Sequence, residues 1–515
     1  MVERGNGAGR VGLALFTAGM ARKDVREAPF PVVAESLPQL NTNSWVVFPD
    51  GRMETTHVLR PSLSWHDGTP LSAEDFVLAW RVIAAQDEWG LQRPTFEYQQ
   101  MEAVIAADPR TVVIRWRHPF PDAAAPELLP LPRHILEEPL AQGQPDAFAA
   151  HSYWTTGFIG AGPYRIDRWE RGAFIDAAAF DGFALGRPKI DRFRLTWIAD
   201  PNVALARLLA GDSHVAADSS LYFQQAAILK REWAATGAGQ LVLSPNQLRY
   251  VQVQFRPEYV SPIALHDLRV RKALLHAIDR QALSEALLEG EGMVADSSIP
   301  PAAEAYAGVD RAIAKYPYDL RRAEALLREA GFTKGTDGFY ASPTLGRFTT
   351  EVRGVSAGQE AQETTIVSDD LRRAGIDNTL NLLPAAQRST DEELKGTFPG
   401  LTTNWKTLGI SLLNSLQTST VAGPSNRWTG LNRSGWSNPE FDRLFELYNT
   451  TLDRPQRNQH TAAIMKLLTE ELPILPMYFN FEAVAHVSNL QGPEPFTPES
   501  SYYGNIHTWQ WREGA

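Results

Sequence analysis

Residues 58–82 read VLRPSLSWHDGTPLSAEDFVLAWRV. Asp67-Gly68 is a turn signal, because glycine enters the left-handed backbone region at no steric cost. Ser72 stands where a helix N-cap belongs, and its hydroxyl can accept from a free backbone N–H. Glu74 and Asp75 follow in the first turn, where negative charge suits the helix dipole. Phe76, Val77, Trp80, Ile83 and Ala84 then recur at helical spacing. The pattern predicts an amphipathic helix packed on a sheet. His66-Asp67 is accounted for by the turn before that helix rather than by acid–base chemistry.

On either side the chain alternates strands and helices. Residues 41–61 predict a β-hairpin about Pro49-Asp50-Gly51. Residues 110–121 read as a strand, with Val112, Ile114 and Trp116 alternating against Val113, Arg115 and Arg117. Residues 129–138 read as a short Pro-bounded helix, and 160–180 as a Gly-rich turn feeding two strands. Residues 191–216 predict strand, helix and strand, a βαβ unit implying a parallel or mixed sheet. Near residue 260 the character changes. Residues 267–290 predict one long capped helix closed by Gly290, and 318–332 another with a glycine C-cap. Residues 348–376 predict a strand, a turn and a helix ending at Gly375. Residues 438–480 predict two helices and then a Pro-bounded strand.

With 515 residues and 57.1 kDa, two or three domains are expected. A formal net charge of -11 argues against nucleic acid as a partner. The absence of cysteine excludes thiol nucleophiles and Cys-ligated metals. The 11 histidines are scattered, with no pair at i, i+3 or i, i+4 spacing, so neither a metal site nor a cofactor is expected. Arg4 and Arg10 precede the apolar run VGLALFTAGMA (11–21), which has the outline of a secretion signal but reads better as part of the mature fold. No apolar run approaches the ~18 residues of a membrane span.

Two further stretches carry candidate chemistry. GVSAG (354–358) fits the G-x-S-x-G turn on which hydrolases mount a nucleophilic serine, here Ser356. That reading also needs a base, for which His460, His486 or His507 would have to serve, and an upstream oxyanion loop, which is not evident. Residues 402–442 read as a long loop rich in Gly, Ser, Thr and Asn that carries Trp405, Trp428 and Trp436. Loops of that length are usually functional or disordered, and three tryptophans argue against disorder.

Several stretches, in order, resemble one family. LRPSLSWHDGTPLSAEDF, LPLPRHILE, GAGPYRIDRW, GRPKIDRFRLTWIADPNVALARLLAGDSHVA, DLRVRKALLHAIDRQAL, GWSNPEFDRLFELYNTTLDRPQR and LPILPMYFN are similar to the family-5 (peptide/nickel type) substrate-binding proteins of ABC importers. The resemblance implies an α/β, two-lobed periplasmic-binding-protein fold of the cluster C type, with mixed sheets. Lobe I would be discontinuous, 1–264 plus 479–515, and lobe II would be 265–478, with the ligand cleft between them. It implies a monomeric binding protein rather than an enzyme, periplasmic or extracytoplasmic, which docks on membrane permease subunits. Compared with the family the chain is shorter at its start. It lacks the usual signal peptide and the first strand, and so reads as N-terminally truncated.

The resemblance also implies site residues. Arg353 falls where dipeptide binders carry a carboxylate-binding arginine. Trp405 matches a cleft tryptophan, and three residues later Leu408 stands where peptide binders carry the aspartate that holds an α-amino group, with Lys406 nearby. Arg427, Trp428, Asn432 and Tyr250 are further candidates. A peptide or similar small amphiphilic solute is the expected ligand, with sugars, opines and modified peptides left open by Leu408. A serine hydrolase using Ser356 is the rival reading, and a receptor or chaperone-like signalling module a third.

Overall fold

The computed structural model describes residues 14–24, 27–89, 96–217, 220–495, 497 and 501–512. Arg4, Arg10 and residues 11–13 of the apolar start lie outside them. The chain forms two compact units. The first comprises residues 1–244, 450–452 and 482–515, and the second 245–449 and 453–481.

In the first unit the predicted hairpin is β1 (Trp45–Val47) and β2 (Met53–Val58), paired Trp45↔Thr55, with Gly51 at φ 86° in the turn. Helix α1 (Ala73–Glu88) begins where the Ser72 signal places it. The Ser72 N–H donates to Asp75 Oδ2 (2.8 Å), and the other Asp75 oxygen accepts from the Arg133 N–H (2.9 Å). Strands β3 (Met101–Asp108) and β4 (Thr111–Trp116) complete an antiparallel sheet of order β1-β2-β4-β3. Phe76 and Ala79 of α1 pack on Val112, Ile114 and Trp116.

His66 joins this sheet to the Gly-rich turn. Its Nδ1 accepts from the Gly160 N–H (3.2 Å), which leaves Nε2 to donate to the Gly162 carbonyl (3.1 Å). Burial pushes the imidazole pKa down to about 4. The turn needs glycine for space, since a Cβ at Gly160 would sit 1.8 Å from the Phe16 carbonyl oxygen. The apolar start of the described chain is therefore core, with Leu15, Phe16, Ala18 and Met20 all buried.

β5 (Tyr164–Glu170), β6 (Phe174–Ala179) and β7 (Arg192–Thr196) make a separate antiparallel sheet. Helix α2 (Pro201–Leu209) follows, capped by Asp200, then β8 (Val215–Ala216). Here the structure corrects the expected βαβ unit. β7 pairs with β6, whereas β8 pairs antiparallel with residues 485–486, so the two strands belong to different sheets. β7 pairs with the strand just before it, whereas the partner of β8 is remote in sequence and leaves no local signal. After α3 (Phe223–Thr236), strand β9 (Gly239–Val253) carries the chain out of the first unit between Ser244 and Pro245.

The second unit opens with a second correction. Residues 267–290 form two helices, α4 (Leu268–Ala277) and α5 (Arg280–Leu288). The break is at Asp279, whose carboxylate caps α5 through the Ala282 N–H (2.9 Å) and whose own N–H goes to Asp370 Oδ2 (2.9 Å). An aspartate that caps a new turn competes with continuing the old helix. Helix α6 (Leu320–Glu329) follows, and then the parallel crossover: β10 (Thr349–Val355), α7 (Gly358–Ala374) and β11 (Asp377–Leu383), in register Thr349↔Asp377. β12 (Leu401–Thr407) runs parallel to β10 and antiparallel to β9. Helices α8 (Pro439–Thr450) and α9 (Arg454–Glu471) precede β13 (Ile474–Val487), which returns the chain to the first unit between Phe481 and Glu482. The sheet order is β8-β13-β9-β12-β10-β11, so parallel and antiparallel pairs are mixed. Leu248, Leu412, Phe441, Phe445, Ile464 and Phe479 are part of the core of this unit. Among the described residues no helix is long and apolar enough to cross a membrane.

Candidate functional site

Pairing of β9 with β12 sorts the candidate residues by face. The register is Leu248↔Lys406, Arg249↔Trp405 and Tyr250↔Asn404, and cross-strand partners project to the same side of a sheet. Lys406 and Asn404 therefore share a face with Leu248 and Tyr250, while Trp405 shares the opposite face with Arg249. Residues 402–407 are thus strand rather than the start of a loop. Trp405 is partly buried, and its N–H donates to Asn404 Oδ1 (2.9 Å). Tyr250 is 2 % exposed and packs in the core of the unit. Burial raises its hydroxyl pKa, with Arg388 and Arg249 acting in the opposite direction.

The Trp405 face carries a buried charge cluster that the sequence reading did not find. Arg249 Nε lies 2.7 Å from Glu363 Oε2, and the Tyr478 hydroxyl donates to the same oxygen (2.7 Å). Gln359 Nε2 donates to the Tyr478 hydroxyl (2.8 Å), and Glu360 lies 3.8 Å from Arg249 Nη2. Burial opposes the charge on Arg249, but Glu363, Tyr478 and Glu360 outweigh it and raise its pKa. Burial raises Tyr478 and Glu360, and the nearby Glu363 adds to both. Glu360 and Glu363, one helical turn apart on α7, were the only local hint.

Arg353, on β10, is 7 % exposed. Its Nε lies 2.6 Å from Glu351 Oε1, and its Nη1 donates to the Leu394 carbonyl (3.3 Å). Its charge is thus matched within the unit. Asn432 is fully buried. Its Nδ2 donates to the Leu416, Gln417 and Trp436 carbonyls (3.3, 3.1 and 2.8 Å), and its Oδ1 accepts from the Gly435 N–H (3.0 Å). It ties the segment after β12 into an ordered shape, and Trp436 is buried against Phe441. Arg427 and Trp428 sit at the outer turn of this segment, both left-handed (φ 50° and 62°). That conformation is uncommon for residues other than glycine. Arg427 is exposed. Trp428 is partly exposed, with the Arg256 guanidinium 5.3 Å from its ring.

Ser356 lies in the turn between β10 and α7, exposed, with its N–H on the Leu383 carbonyl (2.8 Å). Its hydroxyl has no histidine partner among the described residues. Both glycines of GVSAG have structural reasons. Gly358 is left-handed (φ 54°), and a Cβ on Gly354 would meet Thr364 Oγ1 at 2.0 Å, where β10 packs on α7.

The sequence profile of the bacterial extracellular solute-binding proteins, family 5, matches residues 35–426. The chain belongs to this family. Similar family-5 proteins include the oligopeptide-binding protein AppA of Bacillus subtilis, 25% identical over 483 residues, covering 93% of this chain and 82% of that one. Glutathione-binding protein GsiB of Escherichia coli is 26% identical over 467 residues, covering 88% and 83%. The fold is that of the oligopeptide-binding protein of Thermus thermophilus in its pentapeptide complex, with a TM-score of 0.79 at 22% identity, covering 99% of this chain and 93% of that one. Family 5 has a two-lobed periplasmic-binding-protein fold, and the two compact units are those lobes.

Proposed function

We propose that this protein is the extracytoplasmic, periplasmic solute-binding component of an ABC importer, that it takes up a peptide or similar small amphiphilic solute, and that it is not an enzyme. The family match carries this reading. The peptide and glutathione ligands in the names of its relatives support the solute class. Two strands, β9 and β13, continue from one lobe into the other, which suits hinge closure. Ligand binding then works by differential affinity, shifting an open–closed equilibrium toward the form that docks on permease subunits. In lobe II, Trp405, Trp428 and Arg427 are the proposed ligand contacts. Arg353 and Asn432, whose polar groups are already matched, and Tyr250, packed in the core, support the site from behind.

A thermal-shift screen over di- to pentapeptides, glutathione, opines and oligosaccharides tests this. A ligand at 100 times its dissociation constant adds about 2.7 kcal/mol to stability. No shift with any member of the library, from folded protein, counts against the solute-binding reading. Labelling of Ser356 by a fluorophosphonate probe would revive the hydrolase reading; the expected result is no labelling.

A further inference from the structure

Arg256 lies just beyond the end of β9 and is 6 % exposed. Its guanidinium is held by main-chain carbonyls. Nη1 donates to Gly396 and to Arg433 (3.0 Å), and Nη2 to Ala422 and, at the long limit, to Asn432 (3.5 Å). Among the described residues no carboxylate pairs with it. Arg271 and Arg280 are also buried in this lobe on carbonyls, but theirs belong to residues 265, 266 and 471 and to residues 295, 316 and 476. The acceptors of Arg256 instead bound one loop or touch its tryptophan.

That loop is 422–432. Its ends are tied together: the Ala422 N–H donates to the Asn432 carbonyl (3.0 Å), and the Asn432 N–H to the Thr420 carbonyl (2.9 Å). Inside it, Asn426 Oδ1 accepts from the Gly423 N–H (2.9 Å), the Trp428 N–H donates to the Gly423 carbonyl (2.8 Å), and Arg433 Nη1 holds the Trp428 carbonyl. A loop closed at its neck and packed on itself is an Ω-loop, a form that frequently carries function. Arg256 Nη2 donates to both ends of the neck. The Trp428 ring folds back over the same guanidinium, 5.3 Å away, and the Tyr259 ring lies 6.1 Å from it. The packing is close. A Cβ on Gly396 would lie 3.0 Å from Trp428 Cε3 and 3.1 Å from Arg256 Nη1, and one on Gly435 only 2.5 Å from Arg256 Cγ.

Two costs meet in this contact. Arg427 and Trp428 are both left-handed, a conformation that is unfavourable for residues with a side chain. A buried guanidinium without a counter-ion has lost its hydration. Carbonyl dipoles and the negative face of the indole stabilise the charge, and the charge in turn fixes the ring. We infer that Arg256 is the positioning residue of the lobe II binding segment: it clasps the neck of loop 422–432 and sets the Trp428 ring before a solute arrives. Binding then costs little ordering. The inference rests on the reading of Trp428 as a ligand contact and names the residue that governs it. The planar fork matters as well as the charge, because a single ammonium cannot take the place of two separate donor nitrogens.

The test uses the full chain labelled with 5-fluorotryptophan, as wild type, Arg256→Met and Arg256→Lys, with Trp428→Phe to identify the Trp428 line among the 14 tryptophans. Without any solute, the Trp428 fluorine line should shift and broaden in both Arg256 variants while the other lines largely hold, and trypsin should cut at Arg427 faster than in wild type. If Arg256→Met fails to fold, Arg256→Lys, which keeps bulk and charge, decides. A Trp428 line that stays in place in a folded variant overturns the inference. Calorimetry with trialanine, pentaalanine and reduced glutathione supplies the second readout. A probe that binds wild type should bind about tenfold more weakly to Arg256→Met and to Trp428→Ala, and the double variant should be little worse than either. A merely structural Arg256 would lower the melting temperature and leave the Kd alone, or would add its full effect to that of Trp428→Ala, and either result overturns the positioning role. If none of the three probes binds wild type, it is the solute-binding reading that fails, since the fluorine line answers for Arg256 without a solute.

Discussion

Protonation of His66 should loosen lobe I, and by a predictable amount. In the folded chain its imidazole is neutral, with Nδ1 accepting from Gly160 and Nε2 donating to the Gly162 carbonyl. A second ring proton would cost the Gly160 bond and place a charge in the core. Its pKa accordingly lies at about 4 when folded, against 6.5 for the free side chain. Between those values the unfolded chain binds a proton that the folded chain refuses, so stability falls as pH falls from 6.5 to 4 and is flat above 6.5. The difference of about 2.5 units amounts to roughly 3 kcal/mol at pH 4. His57, also pushed to about 4 by burial, acts in the same direction and window. Asp75 and Glu97, raised by burial, act oppositely. Comparison with His66→Gln cancels these shared contributions. Urea unfolding of both proteins should be followed by tryptophan fluorescence at several values from pH 7.5 to 4. The variant starts less stable, but wild type should lose about 3 kcal/mol relative to it across the window. Parallel pH profiles for the two proteins would refute the assignment of His66 as a buried neutral clamp.

Three other outcomes follow from the packing. Gly160→Ala places a methyl against the Phe16 carbonyl and should cost about 3 kcal/mol or more, read as a lower melting temperature; a change within a degree would contradict the clash. Glu363→Leu strands Arg249 and should cost about 3–5 kcal/mol, whereas Arg249→Met with Glu363→Leu should recover most of that in a double-mutant cycle. Asn432→Ala removes the side-chain donor from the Leu416 and Trp436 carbonyls, and should cost about 1–3 kcal/mol and open the segment after β12 to limited proteolysis.

Features with local causes were legible in the sequence. The Pro49-Asp50-Gly51 turn, the helix start after Ser72 and the glycine after α7 each act over four or five residues and stand at the positions the sequence predicts, although at Ser72 it is the Asp75 carboxylate that accepts from the backbone N–H. Features set by remote partners were not. Asp279 reads as one more polar helix residue until Asp370 is seen accepting its N–H. Strand β8 reads as the second strand of a βαβ unit until its antiparallel partner at residues 485–486 appears. The same limit applies to the site. Arg353 and Asn432 have residue types that suit ligands, and only their partners reveal how fully they are occupied.

The division of the chain also orders its assembly in time. Residues 245–481, apart from the short segment 450–452, are all that lobe II needs, so it can close as soon as β13 has emerged. Lobe I must wait, because Val484, Leu490, Ile506 and Trp509 from the end of the chain pack with Leu15, Phe16 and Tyr164 from its beginning. During synthesis the first-made part of this unit therefore stays open longest, and its closure waits on residues 484–509.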